Sequence, residues 1–384
     1  MLGRVGRAKI RMGRAKKDAY MRVSTGFIHG FAVADWTDLS TFAVEAERMG
    51  VDSIWSAEAW GFDGATPLAY LAAKTSRIKL GTGVLQVGTR TPANMAMTAM
   101  SLYSMSEGRF LLGIGTSGPQ VMEGFHGVIF DHPVQRTRET IEIMKKVFSG
   151  EPVAYQGRSF RLPVREGQGK SIRAAAPAMP QIPIYIASLG PRNLRLTGEL
   201  ADGWKGTSFM PEHADVFFDH IQQGVQDAGR SMADLDLQAD GTVIFTDDVD
   251  EAVEALKPGL AFSLGAMGSR EFNFYNAAYS RAGYADEAKA IQTLWLDGRR
   301  DEARRLVPSE MVLHSNLLGT DEMVKDRIRA YRDAGLTTLG ASLRYRAMGR
   351  GGLEPPTLTE RIDVLGHFID LVNEVNKEPF TERW

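Results

Sequence analysis

The chain has 384 residues, 43% hydrophobic and 24% charged, with no cysteine and a net charge of −2. That is enough for a large core, and it excludes a disulfide framework, a thiolate metal site and a cysteine nucleophile. Residues 1–20 hold seven basic side chains and one acid, a balance of +6 that leaves −8 on the rest, which argues against nucleic acid as a partner. No apolar run approaches the ~20 residues of a membrane span, and nothing resembles a signal peptide. The expectation is a protein of the reducing cytoplasm with neither a membrane nor a nucleic-acid partner. The basic arm has no aromatic residue before Tyr20 and no apolar face. It reads as a poorly ordered tail, with one folded domain spanning 21–384.

From Met21 on, short β-rich runs alternate with amphipathic helical segments. Val23–Ile28 is the first predicted strand, and Leu39, Phe42, Ala43 and Ala46 mark the helical face that Gly50 stops. Asp52–Ser56 is the second, followed by Glu58, Ala59 and Trp60 and a helix opened at Thr66-Pro67. Ile78–Leu80 is the third. It runs into Gly81-Thr82-Gly83-Val84, a polar loop through Gln86, and a helix with Thr91 as N-cap and Pro92 at its first position. Phe110–Ile114 is the fourth, with a long loop before the helix of Val134, Ile141, Met144 and Phe148, then a polar insert with a hairpin near 151–181.

Pro183–Ala187 and Gly203–Gly206 are the fifth and sixth strands, followed by helices over Pro191–Ala201 and through Phe217, Phe218, Ile221 and Val225. The seventh lies within Leu235–Phe245, and a second insert, helical and rich in aromatics, spans 258–320. A helix through Val324, Ile328 and Tyr331 precedes the eighth strand, Thr337–Leu343, and Ile362 to Val372 close the chain. Eight strands, each followed by a helix, is the count of an α/β fold of the (β/α)8 TIM-barrel kind with insertions. A doubly wound open sheet remains the alternative, because periodicity does not show closure.

Two glycine-bearing turns and one helix start carry the chemistry. A glycine pair at the carboxyl end of a buried strand, as in Gly81-Thr82-Gly83, lets a flat ligand approach the backbone, or merely turns the chain. Gly113-Ile-Gly-Thr-Ser-Gly118 satisfies GxGxxG after a strand, but it sits in the fourth unit, Pro119 follows it, and no second strand ends in an acid ~20 residues on. It reads instead as a glycine-lined loop at a barrel mouth. Ser188-Leu189-Gly190-Pro191-Arg192-Asn193 joins a strand to a helix, where free N–H groups, a hydroxyl and a cation favour an anion such as phosphate, or simply cap the helix. His126, Asp131 and His132 lack a metal-ligand pattern and fit turn and capping roles.

The segments SRIKLGTGV (76–84), SEGRFLLGIGTSGP (106–119), IPIYIASLGP (182–191) and ADGW (201–204) together resemble the luciferase-like flavin and deazaflavin oxidoreductases. The similarity is narrower to the coenzyme F420-dependent branch with methylene-tetrahydromethanopterin reductase and F420-dependent glucose-6-phosphate dehydrogenase. It implies a homodimeric barrel that binds coenzyme F420, with FMN as the alternative, and a small-molecule substrate. It also implies a non-proline cis bond at Gly83-Val84 behind the ring. Thr82, Gly83 and Val84 would then form the bulge, Glu58 the acidic position beside the ring, and Gln86, Thr116 and Ser117 the polar edge. Ser188, Leu189, Gly190, Arg192 and Asn193 would hold the phosphate end.

Three departures limit the transfer. Ala59 stands where the dehydrogenase has a catalytic His, Gly118 near its catalytic Glu, and Gly26 where the pterin reductase has a Glu. Glu58 is then the obvious ionisable group near the ring, with His126 and His29 as more distant catalytic candidates. The activity expected is hydride transfer between F420 and a small substrate. An FMN-dependent monooxygenase and a deazaflavin-binding protein without turnover are the other readings. The aromatics Phe272, Phe274, Tyr275, Tyr279, Tyr284 and Trp295 either pack helices or cover the mouth. If they cover it, the substrate is a hydrophobic ring or enone.

Overall fold

The computed structural model describes residues 20–27, 35–269, 272–343, 346–348 and 352–379. The basic arm up to residue 19 and His29 lie outside them. Eight strands form the frame: β1 (Arg22–Gly26), β2 (Ser53–Ser56), β3 (Lys79–Thr82), β4 (Phe110–Gly115), β5 (Ile184–Ala187), β6 (Gly203–Gly206), β7 (Asp236–Phe245) and β8 (Thr338–Ser342). Each pairs in parallel with the next, as in Ile54↔Leu80, Leu80↔Phe110 and Leu112↔Ile184. β7 pairs with both β6 and β8, and β8 returns to β1 through Leu339↔Val23. The sheet is therefore a closed barrel, and the doubly wound alternative falls, since an open sheet keeps two edges.

Every residue of β2 and β4, SIWS and FLLGIG, is buried, and β4 reads as the apolar run expected of a strand covered on both faces. The helices cover the outside with one apolar stripe each. In α1 (Trp36–Arg48) the stripe is Leu39, Phe42, Ala43 and Ala46, and the Asp35 side chain caps the first turn through Thr37 N and Asp38 N. α2 (Thr66–Ala72) and α3 (Pro92–Met105) begin at Thr-Pro pairs, with the Thr91 hydroxyl accepting from Asn94 N. α4 (Pro133–Phe148), α5 (Pro191–Leu200) and α6 (Asp215–Asp227) follow. Phe218 of α6 stands edge-on to Trp204 of β6, ring centres 5.6 Å apart.

The first insert folds a hairpin, Tyr155–Gln156 against Arg161–Leu162. Its turn hangs on the buried Glu139 carboxylate, which accepts the N–H groups of Arg158, Ser159 and Phe160 at 2.7, 2.9 and 2.9 Å. The second insert begins later than Pro258 predicts. α7 (Val249–Ala266) runs through that proline. The lost bond is outweighed by buried Ala252 and Val253 before it and Ala261 and Leu264 after it. Short helices follow over Phe274–Tyr279, Ala285–Leu296, Arg300–Arg305 and Ser309–His314. Leu317–Gly319, expected within the helical insert, is instead a strand paired in parallel with Val243–Phe245 of β7. α8 (Asp321–Asp333) leads into β8, and α9 (Leu358–Val375) closes the chain behind a Thr357/Glu360 capping box.

The two ends of the barrel differ. At the amino ends of the strands Arg22 meets Asp236 at 2.6 Å, Lys79 meets Asp52 at 2.9 Å, and the Tyr185 hydroxyl donates to Asp236 at 2.9 Å. Burial alone would raise the Asp236 pKa, but Arg22 and the hydroxyls of Thr337, Thr338 and Tyr185 hold it below the ordinary carboxylate value. That end is plugged by paired charge. The carboxyl ends carry the cavity.

Candidate active site

A cavity of ≈1550 Å³ opens at the carboxyl ends of the strands. Its floor is the indole of Trp55 on β2, which stands edge-on to Tyr185 of β5 at 5.2 Å. The glycines of the third and fourth units exist largely to let this floor assemble. A Cβ on Gly81 would lie 2.3 Å from the indole, one on Gly113 would lie 1.8 Å from the Thr82 carbonyl oxygen, and one on Gly115 would lie 2.6 Å from Val84 Cγ2. Gly81 thus accommodates a side chain of the protein rather than a ligand. Gly83 and Val84 do line the cavity, and the bond between them is cis, as the resemblance implies. Beyond it, Leu85–Gln86 forms a short strand on β4, where the sequence reads as loop.

Glu58 lies at the cavity wall, though not as a free acid. Arg90 donates to both its oxygens, at 2.5 and 2.8 Å, and Gly64 N donates to Oε2 at 3.0 Å. The carboxylate side chain is 9% exposed and that of Arg90 18%. The hydrogen bonds that Arg90 donates to Glu58, ahead of the carboxylate's charge, raise the Arg90 pKa despite burial. With both oxygens engaged by a guanidinium, Glu58 is a poor fit to the acid–base role expected of it. It braces the loop after β2 instead. Gln86 continues the brace by donating Nε2 to the Glu58 and Ala59 carbonyls at 3.2 and 3.4 Å, which leaves its Oε1 buried without a partner among the described residues.

Thr116 and Ser117 line the cavity beside Gly118, and Ser117 has a left-handed φ of 58°. After the neighbouring strand, whose Ala187 pairs with Gly115, Gly190 starts α5 without a side-chain cap. Leu189, Gly190, Arg192 and Asn193 all line the cavity. Arg192 is exposed, and Asn193 is buried with an unpartnered Oδ1. Ser188 also lines it, but its hydroxyl is shared with Thr197 at 2.8 Å.

Two expected residues do not reach the site. Thr82 is fully buried, and its hydroxyl exchanges hydrogen bonds with the Gly113 carbonyl and N–H, both at 2.9 Å. It fastens β3 to β4. His126 is exposed on the loop after β4, against Phe125, and does not line the cavity. Asp131 pairs with Arg136 at 2.7 Å, and His132 sits at the N-cap of α4 but its side chain meets Arg158 instead of capping.

The aromatic insert divides. Phe274, Tyr275 and Tyr279 line the cavity, whereas Phe272 is exposed, Tyr284 faces His213, and Trp295 packs on Phe262. Burial raises the Tyr279 pKa, with the hydroxyls of Ser315 and Ser208 pulling the other way. The insert is tied over the mouth by Arg281, whose Nη2 donates to the Leu189 carbonyl at 2.6 Å, and by Gln120, which donates to the Gly268 carbonyl. Gly26, Ala59 and Gly118 also line the cavity, and a Cβ on Gly118 would meet nothing within 4 Å.

Besides Arg90, the sequence reading missed Lys205 and Asp240, from β6 and β7. Lys205 Nζ meets the two Asp240 oxygens at 2.6 and 2.7 Å, and both residues line the cavity. The signal was available. A charge within a strand buried on both faces must find a counter-charge inside.

A closed parallel barrel with a broad cavity at the carboxyl ends of the strands, beside a cis peptide and a helix start, is a (β/α)8 scaffold with its cavity at the usual catalytic face. The chain belongs to the luciferase-like monooxygenase family, whose model matches residues 18–338. A Mycobacterium tuberculosis protein provisionally named a coenzyme F420-dependent oxidoreductase is 38% identical over 77% of this chain and 87% of its own length. The 5,10-methylenetetrahydromethanopterin reductase of Archaeoglobus fulgidus is 28% identical over 79% of this chain and 89% of its own. The solved coenzyme F420-dependent tetrahydromethanopterin reductase of Methanopyrus kandleri superposes with a TM-score of 0.71, covering 90% of this chain and 97% of that one, at 24% identity. That last likeness concerns the fold.

Proposed function

We propose that the protein is a coenzyme F420-dependent oxidoreductase that moves a hydride between the deazaflavin and a small, largely apolar organic substrate. The observation that carries this reading is the cavity wall itself: the cis Gly83-Val84 bulge beside a buried, unpartnered Gln86 Oε1, in a chain 38% identical to a protein named for F420. The residues present fit the cofactor. Gln86 Oε1 would be free to accept a ring N–H, and Val84 would offer the ring an apolar wall. Arg192, exposed and without an ion pair among the described residues, stands in the first turn of α5 for an anionic tail. Asn193 Oδ1 suits a tail hydroxyl.

When bound, the deazaflavin supplies the hydride chemistry. The chain's part is to hold donor and acceptor carbons close and to exclude water. Small residues at 26, 59 and 118, with Phe274, Tyr275 and Tyr279 across from them, favour a hydrophobic ring or enone over a sugar phosphate. Family likeness further suggests a homodimer. The lack of cysteine suits the cytoplasm, and no described helix is long and apolar enough to cross a membrane. The test is anaerobic incubation with reduced F420 and a panel of small ketones and enones, following the return of oxidised deazaflavin absorbance. Tight F420 binding with no oxidation above buffer across the panel would favour a carrier without turnover.

A further inference from the structure

With Glu58 neutralised by Arg90 and His126 outside the cavity, the proposed hydride transfer lacks a proton partner in the residues so far described. The cavity contains one other charged constellation reaching its floor. Lys205 rises from β6 with its side chain 9% exposed, and its Nζ stands 5.2 Å from the Trp55 ring centre. The same indole lies close to Gly83, where an added Cβ would be 3.4 Å from the six-membered ring. The ammonium and the cis bulge therefore stand near one indole. Asp240 takes the ammonium in a two-oxygen contact and is itself 44% exposed, so it faces the open part of the cavity. Gly340 of β8 leaves room for it, because a Cβ there would lie 1.8 Å from Asp240 Oδ1.

A structural strut would serve as well with its carboxylate withdrawn from solvent, as in Arg22–Asp236 at the far end of the barrel, where the Asp236 side chain is 8% exposed. This pair differs in lining the cavity with both members and in leaving the carboxylate wet. We propose that Lys205, positioned by Asp240, is the catalytic acid that meets the substrate oxygen. The pair is charge-balanced, so the ligand it suits is a neutral acceptor, a ketone or enone carbonyl, rather than a carboxylate or phosphate. This inference rests on the hydride-transfer reading above. In the reducing direction the carbonyl carbon receives a hydride from the reduced deazaflavin, and the C=O π pair becomes the O–H bond by taking a proton from Nζ. Lys205 is left as a neutral amine, and water beside Asp240 returns the proton. Oxidation of the alcohol is the same sequence reversed.

The test uses the full chain and two probes, cyclohexanone and cyclohex-2-enone, each carbon-13 labelled at the carbonyl. The bound carbonyl stretch is read by infrared difference spectroscopy in the wild type and in Lys205→Met, Lys205→Arg and Lys205→Met/Asp240→Asn. The expected result is a carbonyl band shifted to lower frequency in the wild type and in Lys205→Arg, and absent in both Met variants. F420 affinity should stay within twofold throughout. With the probe that turns over, kcat should fall at least a hundredfold in Lys205→Met, the range for removing a general acid. The double variant, which leaves no unpaired charge, should keep the wild-type unfolding midpoint and so separates chemistry from folding. An unshifted carbonyl in the wild type with both probes, or an equal shift in the Met variants, overturns the proposal. Failure of the wild type to bind F420 while the shift is present would instead overturn the cofactor reading and leave the Lys205 contact standing.

Discussion

Replacing Arg90 with Met tests whether Glu58 is a brace or an acid. The guanidinium gives the Glu58 carboxylate two donors, at 2.5 and 2.8 Å, and both side chains are mostly withdrawn from solvent. Removing one partner of a buried pair costs roughly 3–5 kcal/mol because the other charge is stranded. Arg90 keeps 18% of its side chain exposed, so we take a value just below that range, about 2–3 kcal/mol. Glu58→Gln keeps an acceptor for Gly64 N and should cost about 1–2 kcal/mol. The double variant has no stranded charge, so the cycle should close with a coupling of about 1–2 kcal/mol. Equilibrium urea unfolding of the four proteins measures it. Both single variants should also weaken F420 binding, because Gln86 hangs from the Glu58 and Ala59 carbonyls. A coupling below about 0.5 kcal/mol would refute the brace. So would a Glu58→Gln protein that binds F420 normally yet loses the acid or base limb of its kcat–pH profile.

Five further outcomes are expected. Gly113→Ala should be destabilised by well over 1–3 kcal/mol, roughly the usual cost of overpacking, because its Cβ would meet a backbone carbonyl. Gly118→Ala should unfold within about 0.5 kcal/mol of wild type. Arg192→Ala should weaken F420 binding about tenfold at low salt, the loss of one charge-assisted contact at an exposed site, and the difference should shrink as salt is added; equal affinities at low salt would mean the tail is held elsewhere. His126→Ala should leave kcat and KM within a factor of about two, as an exposed residue away from the cavity. Glu47 takes the N–H groups of Ser76, Arg77 and Ile78 at the entrance to β3; burial pushes its pKa up, but these donors pull it down to about 2 from an ordinary 4.5. A depressed folded pKa gives stability that is complete above 4.5 and lost as pH falls toward 2. The gap in urea midpoint between wild type and Glu47→Gln should therefore be constant near neutrality and close over that acid range.

The barrel was legible because its strands are buried on both faces and its helices on one. Both patterns survive in composition, so Gly203–Gly206 is a strand in the sequence reading and in the structure alike. What the sequence hid was direction. Gly81 and Gly83 look equivalent two residues apart, yet the first makes room for Trp55 and only the second lines the cavity. Thr82 between them, expected in the cofactor-binding bulge, turns out to fasten β3 to β4. Pairing across strands was hidden too. Glu58 and Arg90 are 32 residues apart, Lys205 and Asp240 35, and no local period links them. The long insert misled in the other direction, since packing on both sides of Pro258 carries α7 through it.

The cofactor assignment is the claim on which the rest depends, and equilibrium titration of the full chain with F420 and with FMN, side by side and in competition, tests it most directly. The account expects F420 to bind at least tenfold more tightly than FMN, with FMN failing to displace it and Arg192→Ala weakening F420 alone. FMN binding more tightly than F420, and displacing it, would contradict the account and move the protein to the flavin monooxygenases of its family.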